Sequence, residues 1–343
     1  MLFETFSSKL HQIERALLGD SNVVGVGWGW KEKDNCPTAT PAWRVYVRQK
    51  VPLACVPKSE RIPARWNGFA TDVITAGKPS AMIGVSAGQL APGTIISNLR
   101  NVAKISHSSE QPAGLGTLGF LALVNGRRER ELVLVSNRHV LLAHGAGKGD
   151  PIYAPIIERR GDEFVIDPGS LEPVAEIADE GMDSNYSYQF RSESSSDYFV
   201  DCASARVLDS KQISRHWKLS ENGELTWPHT ARRAHPLDVV GRRAPRVRKI
   251  GGQTGFATGT LVDVSAPVET ESGRRLRNLV IRGSSPGFVT PGDSGALVIN
   301  DSNEAIGLIW GRNDHDSTVA YACHIHPVLH RLNVSVLPPG ITQ

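Results

Sequence analysis

TPGDSGALVIN, residues 290–300, is the stretch on which the reading of this chain turns. A serine that acts as a nucleophile needs its Oγ beside backbone N–H groups able to hold an oxyanion, and flanking glycines permit the tight turn. Gly292, Asp293, Ser294 and Gly295 meet that need, and the N–H groups of Gly292 and Ser294 are the candidate donors. Alone, such a turn is more often an ordinary β-turn. Partner groups elsewhere in the chain have to decide.

The first partner lies in SNRHVLL (136–142), where His139 follows the apolar run ELVLV. The end of a strand is a rigid mount for a general base. His144, in a glycine-rich turn, is the competing histidine but has no strand directly before it. The third group should be a carboxylate buried enough to bond the His Nδ1–H. Asp201 sits in the strand-like run YFVDCASARV, whereas its rival Asp197 lies among serines that suggest solvent. The three groups occur in the order His139, Asp201, Ser294. An α/β-hydrolase runs Ser, acid, His around a Gly-x-Ser-x-Gly elbow, and here Gly295 and Ala296 follow the serine. A subtilisin-like chain runs Asp, His, Ser. The chymotrypsin-like order is the one that matches.

Working outward, the 343-residue chain exceeds the roughly 200 to 250 residues that two β-barrels occupy. Residues 2–18 place Leu2, Phe3, Phe6, Leu10, Ile13, Leu17 and Leu18 at helical spacing, ended by Gly19, and NVVGVGWGW (22–30), AWRVYVRQK (42–50) and TDVITAG (71–77) read as strands. A small α+β module over residues 1–80 is expected, then a linker over 81–113 rich in Gly, Pro, Ser and Asn. From Gly114 to about residue 335, short strands separated by glycine turns predict two barrels, with 179–197 as an exposed polar loop and a helix over 328–334. The class is mainly β.

Charge excludes little but points away from nucleic acid: 38 Lys and Arg against 35 Asp and Glu leave a formal net charge of +3. The basic stretch from Arg232 to Lys249 is expected to be a solvated loop; an exosite for an acidic protein segment is the alternative. No window offers the roughly 20 apolar residues of a membrane span, and the first residues lack the pattern of a secretory signal. The four cysteines, Cys36, Cys55, Cys202 and Cys323, show no metal-site spacing, so no metal or cofactor is expected and a reduced, cytoplasmic chain explains them.

SNRHV, VDCASA and GDSGA resemble the three catalytic motifs of trypsin-like peptidases, and the NVVGVG…VYV…TDV pattern before them is similar to bacterial trypsin-like proteins related to plant trypsin-like regulators. The resemblance implies a chymotrypsin-like double six-stranded β-barrel preceded by the α+β module. It implies peptide-bond hydrolysis with His139, Asp201 and Ser294 as catalytic residues and the Gly292 and Ser294 N–H groups as oxyanion hole. EAIGLIWG (304–311) looks like the strand that pairs with substrate backbone, so Ile309, Trp310 and Gly311 line the cleft, with Phe288 at the base of the primary pocket. Two departures stand out: Ala296 where digestive trypsins have a second glycine, and Asn137-Arg138 before His139. The implied partner is a protein or peptide substrate, including a single dedicated protein such as a defence effector; oligomeric state is not legible. A pseudo-protease that binds peptides without cleaving them is the reading from a different class.

No acid lies between Asn278 and Pro291, so the primary pocket is expected to accept an uncharged residue. A peptide-library cleavage profile checks this, and one dominated by Lys or Arg contradicts it.

Overall fold

The computed structural model describes residues 3–337 except 18–21, 34–35, 58–59, 76–78, 81–89, 101–113, 128–129, 161–162, 167–170, 192, 210–212, 214–215, 220–222, 241–244, 270–274 and 285–286. Leu2, Leu18 and Gly19 therefore lie outside the described residues. Helix α1 (Phe3–Leu17) is followed by β1 (Val23–Lys33), β2 (Cys36–Val47), β3 (Arg65–Trp66), β4 (Phe69–Thr75) and β5 (Pro79–Ser80). β1 pairs antiparallel with β2, and β2 parallel with β4. Leu10 and Ile13 of α1 are fully buried in one core with Trp28, Trp30 and Trp43, as their spacing predicts.

The next strands are β6 (Ile95–Ile96), β7 (Gly116–Thr117), β8 (Phe120–Val124), β9 (Leu132–Ser136), β10 (Pro151–Tyr153), β11 (Ile157–Arg160), β12 (Glu163–Ile166), β13 (Pro173–Tyr188) and β14 (Ser196–Val207). β11 and β12 form a separate hairpin. The others close a ring: β8 pairs with β9, β9 with β14, β14 with β13, and β13 with β10. A bridge from Tyr153 to Ser97 leads to β6, which pairs with β7, and β7 runs on toward β8. This is a six-stranded barrel. Residues 90–99, read from sequence as linker, thus belong to it, and the barrel starts before Gly114; residues 81–89 and 101–113 lie outside the described residues.

Past a hairpin of β15 (His216–Leu219) and β16 (Gly223–Thr226), the strands are β17 (Arg246–Gly251), β18 (Gly255–Glu269), β19 (Arg275–Gly283), β20 (Leu297–Asn300), β21 (Ala305–Asn313) and β22 (Val319–His324). Pairings run β17–β18–β19–β22–β21–β20 and return to β17. The second ring is again six-stranded, as expected. α2 (Arg138–Leu141) follows β9, and α3 (Ile325–Leu332) leads to β23 (Val334–Val336), which pairs with β8.

One expectation fails in an informative way. Residues 179–188 are not an exposed loop but the second half of β13, paired with β14 out to Tyr188↔Ser196. Their polar composition hid a strand whose aromatics find partners only in the tertiary fold: Tyr188 stacks edge-on against Phe190 and against His330 of α3, with ring centroids 4.9 and 5.3 Å apart.

The N-terminal strands are continuous with the second barrel. In VVGVGWGW (23–30) the alternation of a β-strand puts Val26, Trp28 and Trp30 on the helix-facing side and Gly25, Gly27 and Gly29 on the other. That second side presses on β18: a side chain at Gly25 would meet Pro267, at Gly27 the Asp263 carboxylate, and at Gly29 the Val262 carbonyl. Gly29 and Asp263 are paired residues. Arg44, fully buried in this seam, donates to the Trp30 carbonyl at 2.9 Å and to Glu32 at 2.8 Å, while the Tyr46 hydroxyl donates to Asp263 at 2.5 Å. Burial pushes the Asp263 carboxyl up to about 6 despite the opposing pull of Arg44.

Trp28 packs edge-on against Trp43 at 4.6 Å and Phe69 at 4.8 Å. Trp28→Ala is expected to destabilise the whole protein by about 3–5 kcal/mol. Denaturant melts followed by a second-barrel probe check this: a loss confined to the first 75 residues would mean that the N-terminal strands fold apart from the barrel.

Candidate functional site

His139 lies in α2, one turn beyond the end of β9, and Asp201 lies in β14, which pairs with β9 through Ala203↔Ser136. The pairing of two neighbouring strands thus carries the two side chains together. His139 Nδ1 is hydrogen-bonded to Asp201 Oδ2 at 2.5 Å. The other carboxylate oxygen accepts the N–H groups of Arg138 at 2.7 Å and His139 at 3.4 Å, and the Asn137 side chain donates to the Asp201 carbonyl at 2.8 Å. The Asn137 side chain and the Arg138 backbone N–H therefore hold Asp201 in place. On the far side the Asp201 N–H donates to the buried Cys323 thiol at 3.3 Å, and Cys55, Cys202 and Cys323 are free thiols.

Burial alone would lower the His139 pKa, but the charge of Asp201, its hydrogen bond and the charge of Asp183 outweigh it, so the imidazole is held above its ordinary value. Asp183 stands directly opposite Asp201 in the β13–β14 ladder. Its own carboxyl is pushed up, first by burial and then by Asp201. Of the rival groups, Asp197 accepts a hydrogen bond from the Ser187 hydroxyl at the exposed end of that hairpin, and His144 occupies a left-handed turn at φ 55°.

Ser294 comes from the second barrel. Its carbonyl accepts the Thr117 N–H at 2.7 Å, and the Gly295 N–H donates to the Ile309 carbonyl at 2.8 Å. β7 is the wedge that joins the two halves: a side chain on Gly116 would strike Val140, the neighbour of His139, and come within 3.0 Å of the Ser294 carbonyl. Gly292 and Gly295 have φ of 102° and 91°, a region that favours glycine. His139 Nε2 and Ser294 Oγ are both buried and have no hydrogen-bond partner. Among the described residues, the N–H groups of Gly292 and Ser294 are likewise without a protein acceptor.

The turn itself is pinned by a charge pair that sequence reasoning missed. Lys249 and Asp293 are both fully buried, with Nζ 2.7 Å from Oδ2. The Asp293 carboxylate also accepts the N–H groups of Thr290 at 3.1 Å, Gln253 at 3.1 Å and Thr254 at 3.2 Å, and the Thr254 hydroxyl at 2.7 Å. Burial lowers the Lys249 pKa, with Asp293 opposing. Lys249 closes the basic stretch read as a solvated loop, and that reading fails at its end. The signal was there in RVRKI: Lys249 is two residues from the inward-facing Val247, on the same face of β17. Elsewhere in the stretch Arg232 pairs with Asp238 at 2.9 Å, and Arg233 pairs with Glu193 and lies 3.7 Å over the Phe190 ring; residues 241–244 lie outside the described residues.

The residues expected to line the cleft are placed differently from one another. Phe288 is 1% exposed and belongs to the core of the second barrel, its ring centroid 5.5 Å from the Lys249 ammonium, so it faces that buried charge rather than an open surface. Ile309 and Trp310 turn their side chains inward: Ile309 is fully buried, and the Trp310 ring lies 4.4 Å from Phe199 while its Nε1 donates to Asn278 at 3.0 Å. Ile309 spends its backbone on the Ser294 turn, donating to the Ala296 carbonyl at 2.9 Å and accepting from Gly295 at 2.8 Å, so what β21 offers beyond it is the backbone of Trp310 and Gly311.

No protein-family model and no curated protein matches the chain. Similar solved structures include Protease A of Thermobifida fusca, at 12% identity and TM-score 0.41 over 76% of this chain and 100% of that one. A Nocardiopsis protease is similar at 15% identity and TM-score 0.39, over 75% of this chain and 100% of that one. A chymotrypsin of Cellulomonas bogoriensis is similar at 17% identity and TM-score 0.37, over 64% and 90%. Likeness of this degree sets no function; the geometry of the site has to do so.

Removing one member of a buried ion pair leaves an uncompensated charge, at about 3–5 kcal/mol. Lys249→Met is expected to lose stability of that order, and Lys249→Met combined with Asp293→Asn to regain part of it, measured by chemical denaturation. Equal stability of the single variant and the parent would show that the pair does not hold the turn.

Proposed function

We propose that this chain is a serine endopeptidase in which Ser294 attacks a peptide carbonyl, His139 moves the proton and Asp201 orients the imidazole. One observation carries the reading: the His139–Asp201 bond fixes the proton on Nδ1 and leaves Nε2 buried without a partner, Ser294 Oγ is likewise buried and unpartnered, and Gly116 lies against both Val140, the neighbour of His139, and the Ser294 carbonyl. In the first half-reaction the Oγ–H proton passes to Nε2 as Oγ bonds the carbonyl carbon. The carbonyl oxygen becomes an oxyanion, for which the Gly292 and Ser294 N–H groups are the donors at hand. Asp201 stabilises the imidazolium so formed. Collapse of the adduct transfers the Nε2 proton to the departing amine and leaves an acyl-Ser294 ester. Water gives a proton to the same Nε2 as its oxygen bonds the ester carbon, and collapse breaks the acyl–Oγ bond, returns that proton to Ser294 Oγ and releases the acid.

A second reading rests on a different observation. Ser294 exposes no surface, and a silent, peptide-binding module needs no access to its Oγ. A fluorophosphonate probe separates the two, because it labels only an activated serine. Labelling of the parent and its loss in Ser294→Ala support the enzyme; no labelling of the intact chain supports the silent module.

Ser294→Ala is expected to lower kcat by about 10⁴-fold or more with the fold unchanged, and His139→Ala to lose about as much, with no further loss in the double variant. Because His139 must be neutral to accept the proton and its pKa is raised, kcat/KM is expected to rise with pH around a midpoint above the ordinary histidine value. Asp183→Asn removes a charge that favours the imidazolium and should move that midpoint down. A midpoint unmoved in that variant would show that Asp183 does not act on His139.

A further inference from the structure

One strand lies where a substrate would. β21 has two edges. Toward one side Arg312 is paired with Ala320 of β22. Arg312 is also paired, antiparallel, with Ser80, and Asn313 with Pro79. A strand residue has one neighbour on each side, so β5 occupies the edge opposite β22. That is the edge used by β20 up to Leu308 and by the nucleophile turn at Ile309, which donates to the Ala296 carbonyl at 2.9 Å and accepts from Gly295 at 2.8 Å. Between the turn and β5, only Trp310 and Gly311 remain on that edge.

A peptide that docks by adding a strand to a free edge gains its affinity from the backbone ladder. If its scissile carbonyl sits at Ser294, the residues before that bond run along β21 away from the turn. Two residues of edge span about 7 Å, after which the incoming chain meets Ser80.

We propose that β5 is a built-in competitor for the outer part of the peptide-binding edge of β21, so that the site reads only about two residues before the scissile bond until β5 leaves it. The proposal rests on the endopeptidase reading above. It deepens that reading by naming what limits substrate choice: the chain's own backbone at Pro79–Ser80, acting through Arg312 and Asn313, in place of a side-chain pocket. β5 immediately follows β4 and the N-terminal strands in sequence, so anything that shifts those strands on β18 would act on substrate range through the same edge.

The test uses the full-length chain and two probes with the same leaving group, the thiobenzyl esters of acetyl-leucine and of acetyl-Ala-Ala-Ala-leucine. In the parent, the longer probe is expected to gain no more than about fivefold in kcat/KM over the shorter, since the outer ladder bonds are taken. In Ser80→Pro, which cannot keep a regular ladder, and in the gentler Pro79→Gly/Ser80→Gly double variant, the longer probe is expected to gain about tenfold or more while the shorter stays unchanged. The shorter probe reports that each variant is folded. A parent that already favours the longer probe by about a hundredfold, or variants that change both probes alike, overturns the competitor. Failure of the parent to hydrolyse either probe, together with no fluorophosphonate labelling, overturns the endopeptidase reading itself.

Discussion

Lys249 and Asp293, neither with access to water, pin the turn that carries Ser294, and the shape of the site depends on them. Leaving either charge unpaired in such a place is costly, so the chain around Asp293 is held wherever Lys249 and four backbone or hydroxyl donors from Thr290, Gln253 and Thr254 can reach it. Ser294 is the next residue and inherits that position. Lys249 is on β17, which closes the second barrel onto β20, so closure of the barrel and placement of the serine are one event.

The first barrel holds His139 and Asp201 in the same manner, through strand register. A shift of one residue between β9 and β14 would turn Asp201 to the opposite face and away from His139. Backbone N–H groups at Arg138 and His139, the Asn137 amide and the Cys323 thiol all fasten Asp201 or its backbone. The two barrels then meet across β7, where the bare Gly116 leaves room for both Val140 and the Ser294 carbonyl. Any side chain there would push the His139 helix and the Ser294 turn apart.

The N-terminal strands share this economy of space. A row of three glycines lets β1 lie flat on β18, and the polar groups trapped by that contact are matched by Arg44, Glu32, Tyr46 and Asp263. What the sequence suggests is an appended module is, in the fold, an extension of the second barrel's wall, with β5 as its last contact on β21.

Much of this was determined by local sequence. The alternation in VVGVGWGW, the strand before His139 and the glycines around Ser294 are properties of short stretches, because side-chain period and turn conformation are set over a few residues, and the order of the three groups is read directly along the chain. The mainly β class and the two barrels could be read from them. What only the tertiary structure decided is long-range. Residues 179–188 are polar and looked like loop, yet they form a strand because Tyr186, Tyr188 and Phe190 find α3 and β14 as partners. Lys249 looked like solvated surface, yet it is buried, because its partner Asp293 is 44 residues away in the chain. Phe288 looked like a pocket base, yet it packs in the core. Two residues at Pro79–Ser80 carry no motif at all; their meaning comes from the edge of β21 beside them. Which strand edges meet, and which charges are buried together, depends on loop closure over tens to hundreds of residues, and no local pattern encodes it.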